Sequence, residues 1–132
     1  MKWALVTAAV VAVTIAVFGT PVAADDAVLV QKLLAGSPWQ GTWSGRSGNG
    51  TAELVFSEKG GELQAAVQNI TGSTNPRVGP VSFLKVKDGK VEFVTPVGTQ
   101  FQLTLDSEGN LVGKGFHRYG GDISVVYTPA RR

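Results

Sequence analysis

From Trp39 to Tyr127 apolar and polar residues alternate with a period of two, and glycine, proline, asparagine and aspartate interrupt the alternation at short intervals. Successive side chains on a strand point to opposite faces, so this pattern predicts half-buried strands separated by turns. Eight runs can be marked. Trp39–Arg46 ends at Ser47-Gly48-Asn49-Gly50, Thr51–Ser57 ends at Glu58-Lys59-Gly60-Gly61, and Glu62–Ile70 leads into the longest connection, residues 71–80. Val81–Lys87 is closed by Asp88-Gly89, a strong signal for a two-residue hairpin turn. Lys90–Thr95, Thr99–Asp106, Asn110–His117 and Asp122–Thr128 follow, each bounded by glycine or proline.

Connections this short join antiparallel neighbours, because a parallel return needs a crossover of a dozen residues or more. A meander with one apolar face removes its edges by closing on itself, or folds into two packed sheets. The absence of an evident Greek-key crossover favours closure. The expected fold is all-β, an eight-stranded antiparallel up-and-down barrel, with a sandwich as the alternative.

The alternation also assigns faces. Trp39, Gly41, Trp43 and Gly45 share the inner side of the first run. The inner sets that follow are Ala52, Leu54 and Phe56; Leu63, Ala65 and Val67; Val81 and Phe83; Val91 and Phe93; Phe101, Leu103 and Leu105; Leu111, Gly113, Gly115 and His117; and Ile123, Val125 and Tyr127. A slip of one residue would turn any of these sets outward. The stretch SPWQGTWSG, Ser37–Gly45, alternates indole with glycine on that inner side. Glycine within a strand marks a bend or a close approach, so these positions are expected to let the sheet coil and to make room for the two indoles.

The residues ahead of the strands divide in two. Met1-Lys2 gives a positive start, Ala4 to Phe18 is almost wholly apolar, and Val22-Ala23-Ala24 offers small residues for cleavage, so residues 1–24 read as a signal peptide. Residues 25–36, DDAVLVQKLLAG, read as a short helix begun by two aspartates and stopped by Gly36 and Pro38, and residues 37–132 as the barrel domain. Export places the protein outside the cytoplasm, secreted or periplasmic. With no cysteine, neither disulfides nor a lipid-modified cysteine is available, and packing must supply the stability.

Twelve Lys and Arg face ten Asp and Glu, a formal charge of +2 that falls to +1 without Lys2. A total so near balance predicts no nucleic-acid partner and no strong attraction to an anionic membrane. No span is expected to remain in a membrane once the leader is cleaved.

The pattern Gly41-Thr42-Trp43 resembles the G-x-W that opens the calycin barrels, namely lipocalins, fatty-acid-binding proteins and avidins. KDGKVEFVTP and LDSEGNLVGKG are similar to hairpins of small lipocalin-like domains on exported bacterial proteins. This resemblance, over most of residues 36–128, implies a barrel closed at one end by the N-terminal helix and an apolar ligand within. It also implies a late basic side chain, for which Arg131 stands in place, packed on the first-strand tryptophan. The candidate ligand-binding residues are then Trp39, Trp43, Phe56, Phe83, Phe93, Phe101, His117, Tyr119 and Tyr127.

Catalytic and metal chemistry find little support. A single histidine, His117, makes neither a triad nor a transition-metal site, and no cysteine helps it. The acidic residues fall mostly at turns, and Gly45-Arg46-Ser47-Gly48 lies between two strands, where a nucleophile elbow would join strand to helix. No enzyme activity and no cofactor are expected. Arg77, on the longest connection, marks residues 71–80 as a surface for a protein partner. The alternative to ligand binding is accordingly a structural or inhibitory protein-interaction module whose barrel is filled by side chains.

Overall fold

The computed structural model describes residues 24–46, 48–74, 76–119 and 121–130. The expected signal peptide, up to residue 23, and Arg131 lie outside them. One helix, α1 (Ala24–Gly36), precedes nine strands: β1 (Trp39–Gly45), β2 (Gly48–Lys59), β3 (Glu62–Gln68), β4 (Gly79–Pro80), β5 (Ser82–Lys87), β6 (Lys90–Val94), β7 (Gln100–Leu105), β8 (Leu111–His117) and β9 (Gly121–Thr128). They form one antiparallel sheet in the order β4-β3-β2-β1-β9-β8-β7-β6-β5. First and last strands are paired, Gly41 opposite Tyr127 and Trp43 opposite Val125. The two edges, β4 and β5, are joined through the single residue Val81, whose N–H donates to Ala65 O at 2.9 Å. The sheet is thus a nearly closed barrel with its seam inside the connection that the sequence left long. The added strand is β4, a two-residue bridge against Ala66 and Val67.

The inner sets behave as the alternation requires, with one exception. Trp39, Leu54, Val91, Phe93, Leu103 and Leu111 are buried, as are Leu63, Ala65, Val67, Val125 and Tyr127. Phe83 is the exception. Ser82 pairs with Val94 and Lys85 with Glu92, so β5 spends one more residue than β6 over the same stretch. That is a β-bulge, and it reverses the parity of the strand. Leu84 and Val86 pack on the core in place of Phe83, whose ring is 84% exposed at φ 56°. The inward assignment of Phe83 is therefore corrected.

The reason given for the indole–glycine alternation also changes. A Cβ on Gly41 would sit 2.4 Å from the ring of Tyr127, and one on Gly36 would sit 2.7 Å from the indole of Trp39. Gly41 admits a tyrosine from the pairing strand. The glycine that admits Trp39 is the last residue of α1.

The barrel has two unlike ends. At the closed end α1 lies across the opening: Trp39 Nε1–H donates to Leu33 O at 2.9 Å, and Ala130 N–H donates to Gly36 O at 2.8 Å. The Asp26 carboxylate, almost fully buried, accepts the backbone N–H groups of Asp88 and Gly89 at 2.9 and 2.8 Å. Both turn residues have positive φ, as the predicted Asp-Gly hairpin turn demands. Register places the β2–β3, β5–β6 and β7–β8 turns at this same end, and with α1 they carry Asp25, Asp26, Glu58, Glu62, Asp88, Asp106 and Glu108. The opposite end, the mouth, gathers the β1–β2, β6–β7 and β8–β9 turns and residues 69–74 and 76–78.

Candidate functional site

The mouth holds a cavity of about 340 Å³ that runs into the upper barrel. Its inner wall comes from strands: Trp43 on β1, Ala52 on β2, Val67 on β3, Phe101 on β7, and Ile123, Val125 and Tyr127 on β9. These are alternate positions of their strands, so period two alone brings them to one side. The outer wall comes from the loops. Ile70, Ser73, Thr74, Pro76 and Arg77 approach from one side, and Thr95, Val97, Thr99 and His117 from the other.

Two glycines of β8 seat the Phe101 wall. A Cβ on Gly115 would lie 2.5 Å from the Phe101 ring, and one on Gly113 would lie 2.0 Å from Gln102 O, so β8 passes close to β7 and Phe101 turns over it. The Phe93 and Phe101 rings then meet at 5.6 Å in a tilted pair that separates the cavity from the packed core below.

The loop wall is stapled to the barrel. Trp43 Nε1–H donates to Thr71 O at 3.1 Å. Thr51 and Thr71 exchange three bonds: Thr71 N–H to Thr51 O, Thr51 N–H to Thr71 Oγ1, and a 2.7 Å contact between their hydroxyls. Gly50 and Gly72 allow the approach, since a Cβ on either would fall 2.0 Å from a backbone oxygen of the facing segment. The indole of Trp43 therefore has two functions, an apolar face for the cavity and an N–H that fixes the loop.

His117 closes the other side of the rim. Its Nδ1 accepts the N–H of Tyr119 at 3.2 Å, which leaves Nε2 to carry the proton it donates to Val97 O at 3.0 Å. The ring ties β8 to the β6–β7 turn. Tyr127 lies deeper in the lumen, and burial pushes its phenol up to about 12, because the phenolate would lose its water there.

Of the nine residues expected at a ligand site, Trp43, Phe101, His117 and Tyr127 line this cavity. Trp39, Phe56 and Phe93 are buried in the packing between the cavity and α1. Phe83 and Tyr119 point to solvent, Tyr119 at 79% exposure with the Arg118 guanidinium 5.8 Å above its ring. The alternation could not show the contribution of Ser73, Thr74 and Arg77, because loops carry no period. Only the length of the connection pointed there.

A larger hollow of about 720 Å³ lies outside the barrel on β6, β7 and β8, among Glu92, Gln100, Gln102, Thr104 and Lys114. Phe83, Val94, Val112 and Phe116 stand among these polar side chains, so its walls are mixed, where those of the lumen are mostly apolar. Among the described residues no helix is long and apolar enough to cross a membrane, and no three acidic or histidine side chains converge as a metal site. No family model, curated protein or solved structure matches the chain.

Proposed function

We propose that the chain is an exported, lipocalin-like barrel that binds a small apolar molecule in the mouth cavity. The observation that carries this reading is the contrast between the two halves of the lumen. The lower half is filled by Trp39, Phe56 and Phe93 and plugged by α1, while the upper half keeps about 340 Å³ between aromatic and aliphatic walls. Small-molecule sites have this character: roughly 300 to 1,000 Å³, mostly apolar, with a few polar groups to fix orientation. Thr95, Thr99, His117 and Arg77 supply those polar groups at the rim. The binding step is burial of apolar surface, worth about 25 cal/mol for each Å² removed from water. The chemistry is recognition without a reaction, since Tyr127 holds its proton firmly and His117 is committed to two backbone partners.

Native mass spectrometry of the exported protein, with a lipophilic fluorescent probe titrated beside it, tests the reading. The expected results are a co-purified small mass or saturable uptake of one probe per chain. A bare protein that takes up no probe would reject ligand binding in favour of the protein-contact role of residues 71–80.

A further inference from the structure

The near-balanced total charge conceals a segregation. The closed end carries the acidic residues of α1 and three turns, interleaved with lysines. The mouth connections carry Arg46, Arg77 and Arg118 and no acid among the described residues; the carboxylates that adjoin them are Asp122, next to the β8–β9 turn, and Glu53, which accepts from Asn69 Nδ2 at 2.9 Å. Arg46 and Arg118 occupy neighbouring turns, with the Arg46 guanidinium carbon 4.0 Å from where a Cβ on Gly121 would stand.

Apolar side chains are segregated in the same direction. Among the described residues seven large hydrophobic side chains are exposed, and five of them belong to the mouth half: Val78, Val97 and Tyr119 on its connections, Phe83 and Phe116 near the mouth ends of β5 and β8. Phe83 reaches solvent only through the β5 bulge, at a φ that a bulky residue rarely adopts.

We propose that the mouth end docks on an anionic lipid surface. Arg46, Arg77 and Arg118 face the headgroups, and Val78, Val97 and Tyr119 enter the interface. Interfacial binding combines these two elements, buried apolar area and attraction of basic side chains to anionic lipid. A nucleic acid would reward the arginines but not the exposed valines. Docking in this orientation sets the cavity opening against the bilayer. The inference stands apart from the ligand reading, because docking needs no occupant in the cavity.

Co-sedimentation of the exported chain with mixed phosphatidylcholine–phosphatidylglycerol vesicles, against phosphatidylcholine alone, tests it. Binding is expected on the anionic vesicles, weakening as added salt shortens the screening length below about 10 Å. Replacing Arg46, Arg77 and Arg118 by alanine should weaken it about a hundredfold, near five-fold for each charge. The same charge change at the closed end, Lys59→Ala with Lys87→Ala and Lys90→Ala, should leave binding within about two-fold, because those groups lie beyond the reach of the surface field. Single arginine replacements, each with its melting curve, carry the test if the triple variant does not fold. Probe uptake without vesicles reads the cavity separately. No binding to anionic vesicles, equal binding to both kinds, equal loss in the two triple variants, or tighter binding to an RNA homopolymer would each overturn the proposal.

Discussion

Two side chains show how much rests on single groups. Tyr127 fills the space left by Gly41, and its phenol is held protonated up to about pH 12. An unfolded tyrosine ionises near pH 10, so this contribution to stability is complete below pH 10 and is lost as pH rises to 12. Denaturant unfolding measured across that range should show stability falling by up to about 1.4 kcal/mol per pH unit, and Tyr127→Phe should flatten the fall. Asp26 is the second. Its carboxylate bonds two N–H groups of a turn that lies 62 and 63 residues away in sequence. Hydrogen bonds to charged groups are worth about 1.5 to 3 kcal/mol each, so Asp26→Ala should cost at least about 2 kcal/mol in chemical unfolding. Asp25→Ala, at the exposed neighbour, should cost well under 1 kcal/mol on the usual surface scale. The sequence presented the two aspartates alike, as helix-start residues. Nothing local marked one of them for a distant hairpin.

At the scale of the element, alternation was legible wherever a strand had one apolar face, and it located the walls of the cavity through Trp43, Phe101 and Tyr127. It failed on β5 for a definite reason. In VSFLKVK both parities hold apolar residues, Val81 and Phe83 on one and Leu84 and Val86 on the other, so the pattern cannot locate a bulge. The correction has a measurable consequence. Phe83→Ser should change stability by no more than about 0.5 kcal/mol, as for an exposed site, whereas Phe93→Ser should cost at least about 3 kcal/mol. Gly113 gives a second check on the faces. Its close approach to Gln102 O leaves no room for a side chain, so Gly113→Val should destabilise by more than about 3 kcal/mol. Lys114→Val, one residue along on the solvent face, should stay within about 0.5 kcal/mol. Equal losses would reject this assignment of the β8 faces.

For the whole molecule, the barrel itself followed from short turns and the absence of a crossover. The position of the seam and the difference between the two ends did not. The connection after β3 gave no periodic signal, yet its residues Ile70, Ser73, Thr74, Pro76 and Arg77 wall the cavity, and its Thr71 is held by Thr51 and the Trp43 indole. The total charge likewise said nothing of where each sign would gather, since only the strand register decides which turns share an end. The division of labour that results has a filled, acidic end sealed by α1 and a hollow, basic end left open. The claim that the hollow is a ligand site is tested most directly by filling it. Ala52 faces the cavity from β2, opposite Gly41. A lipophilic probe titrated into the wild-type protein and into Ala52→Phe, with circular dichroism confirming that both are folded, compares the open and the blocked lumen. Saturable binding to the wild type that weakens at least about ten-fold in the filled variant, a loss of about 1.4 kcal/mol, is the predicted result. Equal affinity in the two proteins, or none in either, would contradict it.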